Sequence, residues 1–197
     1  GNSSSGNAGG IYISNYSNPS LEDVTISGNS GITGGGGIFI AGNSSPSLIN
    51  VTISGNTAGA GGGMHVDDGS NVTMKNSLIS NNTATGGAAI HFSHVNSSLI
   101  NVTITNNTST NQDEAVHISS FANISLINSI LWGNDPREIS FNNSGGPNSI
   151  TIINSDVAGG ESGIETVDLY GDVVTNSNGT VNWGSGNINS FNRDVLC

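Results

Sequence analysis

The side chains best suited to chemistry recur at near-constant spacing. Tyr12, Phe39, His65, His91, His117 and Ser140 follow one another at 27, 26, 26, 26 and 23 residues, each in the middle of an apolar–X–apolar triplet. In a strand, alternate side chains face opposite ways, so the apolar flanks point inward and the middle residue outward. If such strands stack in register, the middle residues form one column with steps of about 4.8 Å. A stripe of aromatic and imidazole rings can stack on sugar rings, whose repeat along a polysaccharide is of similar length. Stacking of the column on itself would equally stiffen the parallel register. Imidazole also suits zinc, copper or nickel, and Asp67, Asp68, Asp113 and Glu114 lie near two of the histidines. Parallel rings point the same way instead of converging on one ion, so no metal and no other cofactor is expected.

Hydrolytic chemistry on sugars needs two carboxyl groups set close together. The acid pairs near this face are Asp67-Asp68 and Asp113-Glu114, on non-adjacent repeats. They read as solvated loop charge, and no catalytic residue is assigned. If the chain is an enzyme, a polysaccharide lyase or a glycoside hydrolase is the expected type.

The elements that carry this column are short and repeated. The apolar anchors Ile11, Ile38, Met64, Ile90, Val116 and Ile139 keep one period. A second ladder, Asp23, Asn50, Asn76, Asn101, Asn128 and Asn154, steps by 25 to 27 residues, and Asn29, Asn56, Asn82, Asn107 and Asn134 form a third. Ladders that keep step over so many copies mark a solenoid. Each repeat holds three strand candidates, as in Ile38–Ile40, the stretch around Leu48, and Val51–Ile53. Strands this short are unstable alone, but stacking pairs each with its equivalents above and below. Asn50 lies in a tight bend between the second and third strands, where Asn tolerates left-handed backbone angles. The structural ladder Asn50, Asn76, Asn101, Asn128 and Asn154 is therefore expected at this bend. Its amides would bond along the stack and be closed to modification.

Composition narrows the partners. Hydrophobic residues make up 34% and charged ones 9%, with net charge −11 and only Lys75, Arg137 and Arg193 positive. So few cations disfavour nucleic acid, and no apolar run is long enough to insert in a membrane. Helix formers are scarce, whereas Gly, Asn and β-branched residues are abundant. The one cysteine, Cys197, offers no internal disulfide. Asn-X-Ser/Thr sequons are frequent, and Asn15, Asn43, Asn71, Asn96 and Asn142, between first and second strands, are the candidate glycan acceptors. An ice-binding array is poorly matched, because Thr25, Thr52 and Thr103 share their column with Leu78 and Ile130.

The GGGIFI, GGGMHV and GGAAIHF units, the NVTISGN and NVTITNN units and the NSILWGNDPREI segment resemble the right-handed parallel β-helix proteins. These form the pectate-lyase-like superfamily, and the resemblance is greatest to its secreted bacterial surface members. The resemblance implies an all-β, right-handed parallel β-helix solenoid, consistent with the right-handed crossover rule. Three short strands per coil, about 26 residues per coil and six to seven coils are expected. Residues 1–157 are expected to form the coils, with the chain starting mid-repeat. Residues 158–197 are expected to form a last irregular coil and a C-terminal cap. In lyases of this superfamily the first-sheet face holds polysaccharide and needs a basic residue, yet Lys75 sits at a bend, Arg137 in a loop and Arg193 near the end. The expectation is therefore a secreted or cell-surface structural or adhesive module, a stalk or filament subunit. It would associate end to end or belong to a longer parent chain, with glycans as possible partners on its loop asparagines. The alternative is a carbohydrate-binding or carbohydrate-cleaving module that uses Tyr12, Phe39, His65, His91 and His117.

Overall fold

The computed structural model describes residues 1–111, 114–142, 145–167 and 179–190. Among them the chain winds as a parallel β-solenoid of about six turns, roughly 26 residues per turn, with one short 3-10 turn at Glu161–Gly163. The first sheet stacks seven parallel strands: Ile11–Ile13, Ile38–Ile40, Met64–Val66, Ile90–Ser93, Glu114–Ser119, Arg137–Asn142 and Glu165–Val167. Each pairs in register one coil on, so Tyr12 meets Phe39, Phe39 meets His65, His65 meets His91, and His91 meets His117.

The second and third strands of each coil are less separate than expected. Ser47–Ile49 and Thr52–Ser54 are distinct strands, but Thr73–Ser80 runs through the bend and pairs with both. Asn96–Thr105 does the same in the next coil. The bend survives inside these strands because one residue takes a left-handed backbone. Asp23, Asn50, Asn76, Asn101, Asn128 and Asn154 all have φ between 51 and 55°. Asn reaches this region more cheaply than most residues, because its short amide bonds locally. Pairing continues beyond residue 157: Glu165–Val167 joins the first sheet, Gly179–Trp183 the second and Ile188–Ser190 the third. Cys197, Arg193 and the rest of the expected cap after Ser190 lie outside the described residues, as does Asp113.

Inside, one apolar column runs through the coils. Ile38, Ile40, Leu48, Val51, Ile53, Ile79, Ile90 and Ile104 are fully buried. Each such side chain contributes about 1.5–3 kcal/mol of transfer free energy. Inter-coil hydrogen bonds then set the register, at a net contribution of about 1 kcal/mol each.

The expectation that Asn50 and Asn101 are held in an inner ladder is corrected. Both are exposed on the outside of the bend. Asn50 bonds Asp23, and Asn101 donates to Asn76 Oδ1 at 3.0 Å. The inner ladder is the third register, Asn29, Asn56, Asn82, Asn107 and Asn134, all buried. Asn56 Oδ1 accepts the main-chain N–H of Asn29 at 2.9 Å and its side-chain Nδ2 at 3.0 Å, and the pattern repeats at Asn82, Asn107 and Asn134. Each Nδ2 of Asn56, Asn82, Asn107 and Asn134 also donates to the carbonyl of an isoleucine in the previous coil, at 3.0–3.1 Å. The last member, Asn134, meets a carboxylate. Its main-chain N–H donates to Glu138 Oε1 at 3.3 Å and its Nδ2 to Glu138 Oε2.

Two local rules build this ladder. The residue before each ladder Asn is left-handed, as Gly28, Gly55 and Gly133 or as Asn81 and Asn106. This turns the next side chain into the interior. The packing column beside the ladder holds small residues, Gly37 and Gly63 and then Ala89 and Ala115; a Cβ at Gly37 or Gly63 would stand 2.6 Å from a carbonyl of the next coil and 3.1 Å from an Asn Nδ2. Glu138 pairs beside Ala115 in that column, which is how its carboxylate reaches the amides.

Candidate functional site

The column Tyr12–Ser140 forms, but its rings face one another. Ring centroids step 5.4, 4.9, 4.5 and 4.5 Å from Tyr12 through Phe39, His65 and His91 to His117, with the Tyr12–Phe39 and His65–His91 planes within 27°. The Phe39–His65 and His91–His117 pairs are tilted by 55° and 40°, so the inner rings are largely taken up by their neighbours while Tyr12, at the end of the column, keeps one face unstacked. Exposure is uneven along the column: Tyr12 is 57% exposed, Phe39 only 8%, His65 and His91 are partly buried and His117 is 6% exposed. The reading that Phe39 stands open to solvent is corrected, because Tyr12 and His65 sandwich it.

The His65 and His91 imidazoles are held neutral by their surroundings. The pKa of His65 is lowered to about 4, mainly by burial and further by the charge of His117, while Asp67 pulls it upward. His91 lies well below its usual value, first through burial and then through His117 and His65. The Nδ1 atoms of both are buried with no hydrogen-bond partner. The His65 Nδ1 lies over Gly34, where a Cβ would stand only 2.7 Å away. Among the described residues no group of three or more His, Cys, Asp or Glu is placed to hold a metal ion.

At the C-terminal end of the column the acid is not the solvated charge expected from sequence. Glu114 is fully buried and bonds both His117 Nδ1 and Ser140 Oγ. Proton relay to a serine needs the imidazole between hydroxyl and carboxylate. Here the carboxylate is the middle member and all three groups are buried, so the trio ties adjacent coils together. Arg137, expected in a loop, begins a first-sheet strand beside Glu114 and lies 3.4 Å from Glu165 through its Nε.

The open part of this face is a groove of about 700 Å³ at the N-terminal end, lined by Asn7, Tyr12, Phe39, Ala41, Asn43, Asp67, Asp68, Gly69 and His94. Turns after successive first-sheet strands build its wall. Asn43, Asp68 and His94 each take a left-handed backbone there, and coil-to-coil bonds join Asn43 N to Asp68 O and Gly69 N to His94 O. Asp67 Oδ1 accepts the Asp68 N–H at 2.7 Å and lies 3.7 Å from His94 Nδ1. Sequence reasoning named Tyr12 and Phe39 here but missed His94, Asn43 as a groove residue, and the role of the acid pair. The hint was their common place just after the first strand of successive coils.

Among the glycan-acceptor candidates, Asn15, Asn43 and Asn96 are exposed and Asn71 is partly buried. Asn142 is buried at the end of a first-sheet strand, which corrects its placement in a loop. Asn96 and Asn71 also take part in an outer amide ladder, since Asn71 Oδ1 accepts the Asn96 N–H at 2.6 Å and Asn96 Oδ1 the Asn123 amide at 3.1 Å.

Stacked parallel coils around one apolar column define the class of parallel β-helices. A family model described as "right handed beta helix region" matches residues 1–131, and the chain belongs to that family. No curated protein and no solved structure matches it. No helix among the described residues is long and apolar enough to cross a membrane.

Proposed function

We propose that this β-helix is an extracellular or cell-surface structural module, a rigid spacer or adhesive element of a stalk or filament. The observation that carries the reading is the unbroken buried amide ladder from Asn29 to Glu138. It clamps successive coils into one register by side chains as well as backbone, which suits a part that must hold its length. A surface low in charge and rich in Ser, Thr and Asn fits a hydrated exterior role, and exposed Asn15, Asn43 and Asn96 are its proposed glycan positions. The test is antibody labelling of intact producing cells. Label on unpermeabilised cells, lost on brief protease treatment, is expected; label appearing only after permeabilisation overturns the exterior reading.

A second reading is favoured by the groove. Its amides, carboxylates and aromatic edges beside Tyr12 are the polar-plus-apolar lining that small-molecule and sugar sites use. On this reading the module binds carbohydrate at Tyr12, Phe39 and the Asp67–His94 wall, while His65, His91 and His117 serve the stack. Glycan-array binding lost in Tyr12→Ala but kept in His117→Gln is the expected pattern. No bound glycan for the wild-type chain removes this reading.

A further inference from the structure

Resting on the carbohydrate reading, we infer that the groove selects a sugar chain bearing free amines, a cationic hexosamine polymer, over neutral or uronic-acid chains. The aromatic residues decide little here: Phe39, sandwiched by Tyr12 and His65, is 8% exposed, and the outer face of Tyr12 offers an apolar surface that any sugar ring can use. Selection is left to the polar wall. That wall carries the Asp67 and Asp68 carboxylates, while its lining includes no lysine or arginine. Lys75 lies on the second sheet and Arg137 is engaged with Glu165. Asp67 is partly satisfied by the Asp68 N–H and by nearby His94. Asp68, by contrast, is exposed and has no side-chain bond or ion pair among the described residues.

A uronic-acid chain would bring like charge against Asp68 with no cation to offset it. A neutral chain would offer hydroxyl donors to the carboxylate but leave its charge unpaired, and covering an unpaired charge is costly. A hexosamine ammonium supplies both the charge and the donors, forming a charge-assisted hydrogen bond. Asn43 and Asn7, at the groove's sides, have amides suited to the ring hydroxyls. Binding that depends on such an exposed pair weakens as salt rises.

The experiment is calorimetric titration of the whole chain with oligomers of equal length: oligoglucosamine, cello-oligosaccharide, oligogalacturonate and oligolysine. The variants are Asp68→Asn and Asp67→Asn/Asp68→Asn. Asparagine suits the left-handed backbone at position 68, where φ is 55°, and circular dichroism confirms that each variant is folded. Oligoglucosamine should bind tightest, with Asp68→Asn weakening it at least about tenfold, the size of one charged hydrogen bond. Equal binding of the neutral oligomer overturns the amine inference and leaves the carbohydrate reading standing, and so does preference for oligogalacturonate. Oligolysine bound as tightly as oligoglucosamine shows that charge alone is read and overturns the sugar class. Binding of none of them overturns both.

Discussion

Replacing Asn82 by alanine tests what holds the coils in step. Asn82 Oδ1 accepts the Asn56 main-chain N–H at 2.9 Å and its Nδ2 at 3.0 Å, while Asn82 Nδ2 donates to Asn107 Oδ1 at 2.9 Å and Ile53 O at 3.0 Å. Alanine removes these bonds at a site with no solvent access. The Asn56 N–H and half of its side-chain donor then lose their partner in the interior. A buried polar group left unsatisfied costs about 1–3 kcal/mol, so a loss of about 3–5 kcal/mol is expected. Asn50→Ala is the control. It forfeits one exposed bond and places alanine in the left-handed region, at about 1–2 kcal/mol. Urea unfolding followed by far-ultraviolet circular dichroism and tryptophan fluorescence gives both values. In Asn56→Ala/Asn82→Ala the shared bonds are lost only once, so the double variant should cost less than the two singles together. Equal costs for Asn82→Ala and Asn50→Ala, or strict additivity, would show that the buried ladder does not carry register.

Three further outcomes follow from the same geometry. An unfolded chain protonates its histidines near 6.5, whereas folded His65 waits until about 4 and burial holds His91 well below 6.5 too, so the unfolded state binds more protons as pH falls below 6.5. Stability should be full above 6.5 and fall as pH drops from 6.5 through about 4, with the His65 share about 3 kcal/mol; urea midpoints at pH 7 and 4.5 should converge more in His65→Phe than in wild type. Gly55→Asn should be close to neutral in thermal melts, since Asn81 and Asn106 hold the same left-handed position, while Gly55→Ala should destabilise by about 1 kcal/mol. Glu138→Ala should lose about 2–4 kcal/mol by stripping acceptors from Asn134, whereas Glu138→Gln, which keeps one, should lose less in the same urea assay.

The solenoid was legible in the sequence because its causes are local and repeated. An apolar–X–apolar triplet every coil dictates a strand, and the Asn between Leu48-Ile49 and Val51-Thr52-Ile53 dictates a bend. Which asparagine points inward was not legible. Both ladders have the same residue type and period, and the choice rests on the left-handed residue before Asn56, which rotates its amide into the core. Phe39 was misplaced for a related reason: alternation fixes which face a side chain leaves from, but the stack above and below decides how much solvent remains. Glu114 looked like loop charge because nothing local shows that His117 and Ser140, three residues and one coil away, converge on it. The groove wall was hidden too, since it is assembled from turns belonging to separate coils.

The amide ladder is directional, and Glu138 ends it. Along the ladder, every Asn from Asn29 to Asn107 gives its main-chain N–H and an Nδ2 bond to the Oδ1 of the Asn in the following coil. A 26-residue unit duplicated anywhere within that span would find both partners waiting. One inserted just after Glu138 would set its own Asn one coil beyond a carboxylate that accepts two bonds and donates none, so that amide oxygen would receive no donor from the preceding coil. Lengthening by tandem duplication is thus open on one side of Glu138 and obstructed on the other. A single side chain marks where the array can no longer grow by copying itself.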